Sequence, residues 1–377
     1  MSEQQNHQLE VPRSLFYQTR FFQKTARLWE RLGNLESALL AEELRNIAII
    51  KPVYVTGLAR SGTTIITELL NCHPELTSHR YCDFPPIYTP FWRNWLRDRT
   101  RFIQAKPAER AHGDRIMITE DSPEAVEEVL WMNFFPGLHD NRRSQVLDAG
   151  RCNARFDAFY QDHIRKLLLV RRRPRYLAKG NYNITRLKYL LRLFPDARFV
   201  IPIRHPVNHF ASLIKQDALF REAQQHDPRI RQQLAAFGHF EFGLDRSCIH
   251  FGDTGAVQEI TNHWDQGYAL RGWALYWVGL YRFVHNLLES DEAIARASLV
   301  VRYEDLCIDS ATVIRSILTH CQLEPDQFRD TVRHYQTILS PPTYYTPSFS
   351  ASEREEIAEI TADTATRFGY PSTLQSD

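Results

Sequence analysis

The chain has 377 residues, 43% of them hydrophobic and 24% charged, with a formal net charge of +1. That is enough apolar material for one large α/β domain spanning 1–377, and the charge balance removes the basic excess that non-specific nucleic-acid binding needs. Six cysteines are scattered without a Cys-x-x-Cys pair, which indicates neither a zinc site nor a disulfide framework and leads us to expect a cytoplasmic setting.

The opening residues are polar, with no basic stretch leading into an apolar one, which argues against a signal peptide. Leu15, Phe16, Phe21, Phe22, Leu28, Trp29 and Leu32 recur at three and four, predicting a helix that Gly33-Asn34 punctuates before a second, 35–50. Residues 1–50 therefore read as an N-terminal helical segment, a hairpin covering the sheet, with its aromatics as a packing face. Pro52 to Thr56 is a short β-branched run, as a buried parallel strand requires. Gly57-Leu-Ala-Arg-Ser-Gly62 follows, and Thr63 to Leu70 carries apolar residues at helical spacing. Strand, glycine loop and helix together aim backbone N–H groups at an anion.

The loop has the Gly-x-x-x-x-Gly spacing of a nucleoside-triphosphate loop, but Thr63 stands in the place of its lysine and the nearest cation is Arg60, inside the loop. The lysine of that motif serves β- and γ-phosphates, and the next hydroxyl holds Mg²⁺. A cation moved inward and followed by two hydroxyls suits a shorter anion handled with less dependence on metal.

Asn71 to Pro74 ends the first helix after the loop, and 86–112, rich in Trp, Arg and Pro, reads as loops and short helices over the site. Ser122-Pro123-Glu124 has the pattern of a helix start, with the helix expected to run to about Phe135. Phe156 to Leu168 marks another amphipathic helix, and Arg165, Lys166, Arg171, Arg172, Arg173 and Arg175 form the strongest basic cluster, read as a solvated helix end, the alternative being attraction of an anionic donor or acceptor. Arg175 to Ala178 is a short strand with Lys179 and Gly180 at its carboxyl end. Asn183 to Phe194 is a helix. Arg198 to Ile203 is a strand in which Pro202 sits awkwardly, because it has no N–H to give a ladder.

Pro206 opens a helix through Ile214, and the polar, Gln-rich 221–265 reads as a mobile insertion or lid over the site. Tyr268 to Leu288 is helical, Ser298 to Tyr303 a last strand, and 310–321 a helix. Pro341-Pro342 and Tyr344-Tyr345 precede a final helix, about 352–368. No apolar run approaches the length of a membrane span. Strands alternating with helices predict a P-loop-type parallel sheet flanked by helices on both faces. Ligands of such sheets bind beyond the strands' carboxyl ends, which gathers the 57–64 loop, Lys179, Arg204 and the Arg302–Asp305 turn into one crevice.

Gly57 to Thr64, His73-Pro74 and the block from Arg204 to Ser212 resemble the sulfotransferase family, which moves a sulfuryl group from 3′-phosphoadenosine 5′-phosphosulfate (PAPS) to an acceptor. The arginine in the loop is similar to that of the tyrosylprotein and bacterial-type members, and Thr119 to Glu124 resembles an acidic segment of the bacterial type. The resemblance implies PAPS as co-substrate, no metal, and a small-molecule or peptide acceptor. It implies that Arg60, Ser61, Gly62, Thr63 and Thr64 hold the 5′-phosphosulfate, with Arg60 neutralising the leaving phosphate. Arg204 and Ser212 would hold the 3′-phosphate, and Lys179 would stabilise charge at the bridging oxygen. For the general base, Asp83 is the expected residue and His79 the runner-up, since imidazole titrates near neutral pH. The alternatives are a P-loop kinase using ATP-Mg²⁺, which would make Asp305 a metal-binding acid, and a non-catalytic nucleotide-binding protein of the same fold. The sequence leaves the acceptor and the oligomeric state open.

Overall fold

The computed structural model describes residues 11–100, 108–109, 117–340 and 348–371; the Pro341–Tyr345 stretch and most of 101–116 lie outside them. The main sheet has five parallel strands: β1 (Val53–Val55), β2 (Leu76–Thr77), β5 (Arg175–Lys179), β6 (Arg198–Ile203) and β7 (Ser298–Arg302), in the order β2-β5-β1-β6-β7. A separate antiparallel pair joins β3 (Ala108–Glu109) to β4 (Met117–Ile118).

Side-chain alternation along the strands builds two cores. Tyr54, Tyr176, Ala178, Phe199 and Ile201 face one layer, which includes helices 154–171, 206–226 and 269–290. Val53, Val55, Leu177 and Val200 face the other, where Ile66, Leu69 and Leu70 of the helix after the loop and Ile314 and Ile317 of helix 310–320 pack. Helices thus flank both faces of the parallel sheet.

Pro202 finds a place because β1 has already ended. Arg198 N–H donates to Pro52 and Thr56 N–H to Val200 O, so alternate residues of β6 face β1, and residue 202 faces the loop where no further rung is made. Its carbonyl accepts from the Tyr281 hydroxyl at 3.1 Å.

Several sequence expectations are corrected. The N-terminal segment is not a hairpin broken at Gly33: helices Arg13–Lys24 and Ala26–Leu39 meet at Thr25, and hydrogen bonds bridge the junction from Thr25 N–H to Phe21 O and from Trp29 N–H to Thr25 O. Gly33 lies within the second helix because a Cβ there would meet Tyr88 O at 2.6 Å and the Phe159 ring at 2.8 Å. The segment packs on other helices. Lys166 donates to Gly33 O at 2.9 Å and pairs with Glu36 at 3.0 Å, both side chains fully buried, while Gln233 donates to Thr19.

The basic cluster disperses accordingly. Lys166 is in the core, Arg171 is bound to Asp83, and Arg175 donates to the carbonyls of Lys51, Gln322 and Cys321. Residues 221–265 form the end of helix 206–226 and helices 228–237 and 254–265. Two of their glutamines, Gln224 and Gln233, are buried; Gln224 accepts Leu244 N–H at 2.6 Å, and Asp227 and Asp253 cap the two helices that follow them. The Ser122-Pro123-Glu124 start fails because Pro123 bridges to Arg80 and Glu124 N–H donates to His79 O, holding the backbone extended. That helix begins at Glu128.

Candidate functional site

Beyond the carboxyl ends of β1, β5 and β6 lies a cavity of about 550 Å³. Its floor is the turn from β1 into helix Thr63–Asn71. Gly62 adopts φ +110°, and a Cβ there would meet the Tyr303 ring at 2.7 Å; only glycine satisfies both the backbone and the contact. Arg60 also has positive φ, at 68°, a conformation that costs a non-glycine residue and persists where surroundings hold it. Here Arg204 Nη1 donates to its carbonyl at 3.3 Å, its own Nε donates to Ser212 Oγ at 3.2 Å, and His209 donates to the neighbouring Ala59 O at 2.8 Å.

The loop residues divide by role. Arg60, Gly62, Thr63 and Thr64 line the cavity, at the end of a helix whose first N–H groups have no intrahelical acceptor. Ser61 is fully buried and donates its hydroxyl back to Leu58 O at 2.7 Å, so its side chain closes the loop. Arg204 enters from the end of β6 and lies 5.0 Å over the Tyr303 ring. The next residue is fixed by Glu304, which accepts His205 N–H at 2.9 Å. Arg60 and Arg204 therefore line one crevice although 144 residues apart, whereas Ser212 is buried behind Arg60 and is not among the lining residues.

Lys179, at the end of β5, reaches into the same space and meets Glu124 at 3.5 Å. Burial alone would raise the Glu124 carboxyl, but Lys179, His239, the Tyr81 hydroxyl and Ala125 N–H outweigh it and draw its pKa down to about 2. On the far wall, His239 pairs with Glu241 at 3.4 Å, and Asn181 donates to Glu241 at 2.9 Å. Burial lowers the His239 pKa, yet Glu241 and Glu124 raise it above its ordinary value overall. Phe220, Leu234, Phe242 and Tyr182 complete this end, giving an apolar wall with charged groups set into it.

Asp83 and His79 lie elsewhere. The Asp83 carboxylate is buried and accepts from Arg171 Nη2 at 2.9 and 3.1 Å, from Asn94 at 2.9 Å and from Arg80 N–H at 2.8 Å. His79 is stacked on His163 with ring centroids 5.0 Å apart. Burial holds it neutral, with its pKa lowered to about 4. Neither is among the residues lining the cavity, and every Asp83 oxygen is committed to structure. Asp305, the metal acid of the kinase alternative, pairs with Arg302 at 2.7 Å.

The carboxylate that does face Lys179, Glu124, falls in the sequence reading on the first turn of the helix expected after Ser122. Its sequence signal was its place in the acidic 119–124 segment. His239 and Glu241 had no signal, since they sit in the polar stretch read as an insertion.

Residues 52–327 match the family model described as "Sulfotransferase family". Among solved structures, the chain is similar to the sulfotransferase STF9 from Mycobacterium avium, at 16% identity over 89% of this chain and 82% of that one, with TM-score 0.52. It is also similar to the sulfotransferase STF1 from Mycobacterium tuberculosis H37Rv, at 17% identity over 93% and 85%, with TM-score 0.49. At such identities the likeness speaks for fold alone. No curated protein sequence matches the chain significantly.

Proposed function

The chain belongs to the sulfotransferase family, and from that premise we propose that it transfers a sulfuryl group from PAPS to the hydroxyl of a small-molecule or peptide acceptor, with Glu124 as general base. The observation that carries this reading is the meeting, in one cavity, of the 60–64 loop, Arg204, Lys179 and Glu124. The residues fit such a donor: amides and hydroxyls at a helix start suit a dianion, and a second arginine close to the first suits a second phosphate.

Thr63, Thr64 and the helix N-terminus would hold the 5′-phosphosulfate end, with Arg204 and Ser212 at the 3′-phosphate. In the transfer, the bond from sulfur to the phosphate oxygen breaks as the acceptor oxygen bonds to sulfur, and the hydroxyl proton passes to Glu124. Arg60 and Lys179 meet the charge that develops on the leaving phosphate and the bridging oxygen. Lys179 has two tasks. In the free protein it holds Glu124 weakly basic; drawn toward the donor, it releases the carboxylate to accept a proton. The base is thereby activated only beside a loaded donor.

A cytoplasmic, reducing setting, expected from the scattered cysteines, belongs to the same proposal. The test is a thermal-shift series followed by turnover. Stabilisation by 3′-phosphoadenosine 5′-phosphate without metal, and transfer of label from PAPS to a pool of hydroxylated acceptors, are expected. Stabilisation only by ATP-Mg²⁺ would reinstate the kinase alternative, and donor binding without transfer to any acceptor would favour the non-catalytic one.

A further inference from the structure

The outer face of the first two helices has a composition that the chemistry does not use. Tyr17, Phe21, Leu28, Leu35 and Leu39 are 68, 55, 51, 49 and 66% exposed. At about 100° per residue, Tyr17 and Phe21 of the first helix lie about 40° apart, and the three leucines of the second fall within about 40° of one another; the two helices join at Thr25, which is not itself helical. Arg13, Arg20, Lys24, Arg27 and Arg31 are all exposed along one flank of these positions. Between residues 13 and 39 the only carboxylates are Glu30 and Glu36, both buried and paired inward, with Arg155 and Lys166. The face that meets solvent is therefore apolar and cationic, while Phe16, Thr19, Gly33 and the two acids face the protein. Helix Pro90–Thr100, tied to the inward-facing Glu36 through Trp92 N–H at 2.6 Å, also exposes two large apolar side chains, Trp95 and Leu96.

We propose that this face docks the protein on an anionic lipid surface, lying in the headgroup layer without spanning it. Charge complementarity selects the occupant. A second copy of the chain, related by a two-fold axis, would bring five cations against five, and a nucleic acid would leave the apolar stripe in water. An anionic bilayer satisfies both: its headgroups meet the cationic flank and its acyl boundary receives the aromatic and leucine side chains. Among the described residues no helix is long and apolar enough to cross a membrane, so the attachment is peripheral and reversible. The helix beneath the docking face, Pro228–Phe237, bonds to it through Gln233 and lines the cavity with Leu234. Docking therefore sets the apolar wall of the cavity one helix away from the bilayer.

The proposal is independent of the transfer chemistry and is tested without it. The full-length protein is sedimented with sucrose-loaded vesicles of phosphatidylcholine alone or with about 30 mol% phosphatidylglycerol. Binding to the anionic vesicles only, falling at least about tenfold as salt rises from about 0.05 M to about 0.5 M, is expected. The double variants Leu28→Ser/Leu35→Ser and Arg27→Glu/Arg31→Glu, checked by circular dichroism and melting temperature, should each lose about tenfold or more in partitioning. Vesicle binding unchanged in both variants, or absent in the wild type, overturns the proposal. So does sedimentation equilibrium showing a wild-type dimer that the Leu variant dissolves while vesicle binding is nil, which would give the face to a second copy.

Discussion

Replacing Glu124 by Gln keeps the shape of the side chain and removes only its ability to take a proton. Its carboxylate is 13% exposed and 3.5 Å from Lys179, and drawing its pKa from 4.5 to about 2 corresponds to roughly 3 kcal/mol of preference for the charged form. Burial opposes that preference, and the foremost of the partners that produce it, Lys179, is the one that the donor would engage. In the donor-bound enzyme the carboxyl should therefore titrate closer to 4.5, and the acid limb of kcat should lie at higher pH than that of kcat/KM. Loss of a positioned base costs about 10²–10⁴-fold in rate, so kcat of Glu124→Gln should fall by at least about a hundredfold. Affinity for 3′-phosphoadenosine 5′-phosphate should stay within about threefold, because Lys179 is freed and not lost. The assay is steady-state transfer from labelled PAPS across pH 3–9, where kcat should begin to fall with acid while kcat/KM does not, with binding measured by calorimetry. A variant that keeps a third or more of the wild-type rate, or kcat and kcat/KM limbs that coincide, refutes the assignment.

The same coupling makes a stability prediction. Because the folded pKa of Glu124 is depressed, its contribution is present above about pH 4.5 and is lost as pH falls toward 2; Glu124→Gln should flatten that part of the melting curve against pH. Gly62→Ala forces a side chain onto the Tyr303 ring at φ +110° and should destabilise by about 1–3 kcal/mol and abolish donor binding; adding Tyr303→Ala should recover part of the stability but not the strained backbone, and full recovery would deny the backbone requirement. Asp83→Asn leaves Arg171 buried against a neutral amide and should cost about 3–5 kcal/mol by urea unfolding without changing the pH dependence of turnover, whereas a base would change it. His79 is neutral in the fold with its pKa lowered to about 4, so stability should decline as pH falls from about 6.5 toward 4, and His79→Phe should reduce that decline; an unaltered profile would place the titration elsewhere.

What could be read from the chain was what is local. The 57–64 loop announced itself because its strand, turn and helix are contiguous, and the carboxyl-end rule then gathered Lys179 and Arg204 beside it. The proposed base could not be read in this way. Counting from Arg60 led to Asp83, but whether that carboxylate faces the crevice is decided by Arg171, 88 residues away. Glu124 was hidden by a convincing helix-start pattern that a bridge to Arg80 overrides. The 221–265 stretch looked solvated because its glutamines are polar, yet Gln224 and Gln233 are buried, and each is spent on one internal hydrogen bond. Tertiary partners, and not propensity, settled each of these cases.

Tyr370 stands near the end of the described chain, and its hydroxyl meets Glu304 at 2.7 Å, the same acid that anchors His205 beside Arg204. The segment that follows helix Ala351–Arg367 is thus tethered, through one phenol and one carboxylate, to the knuckle that aims the second arginine. Cutting the chain before residue 370 should remove that clamp and leave Glu304 to hold His205 alone, loosening the aim of Arg204 while the loop and sheet that form the crevice stay intact.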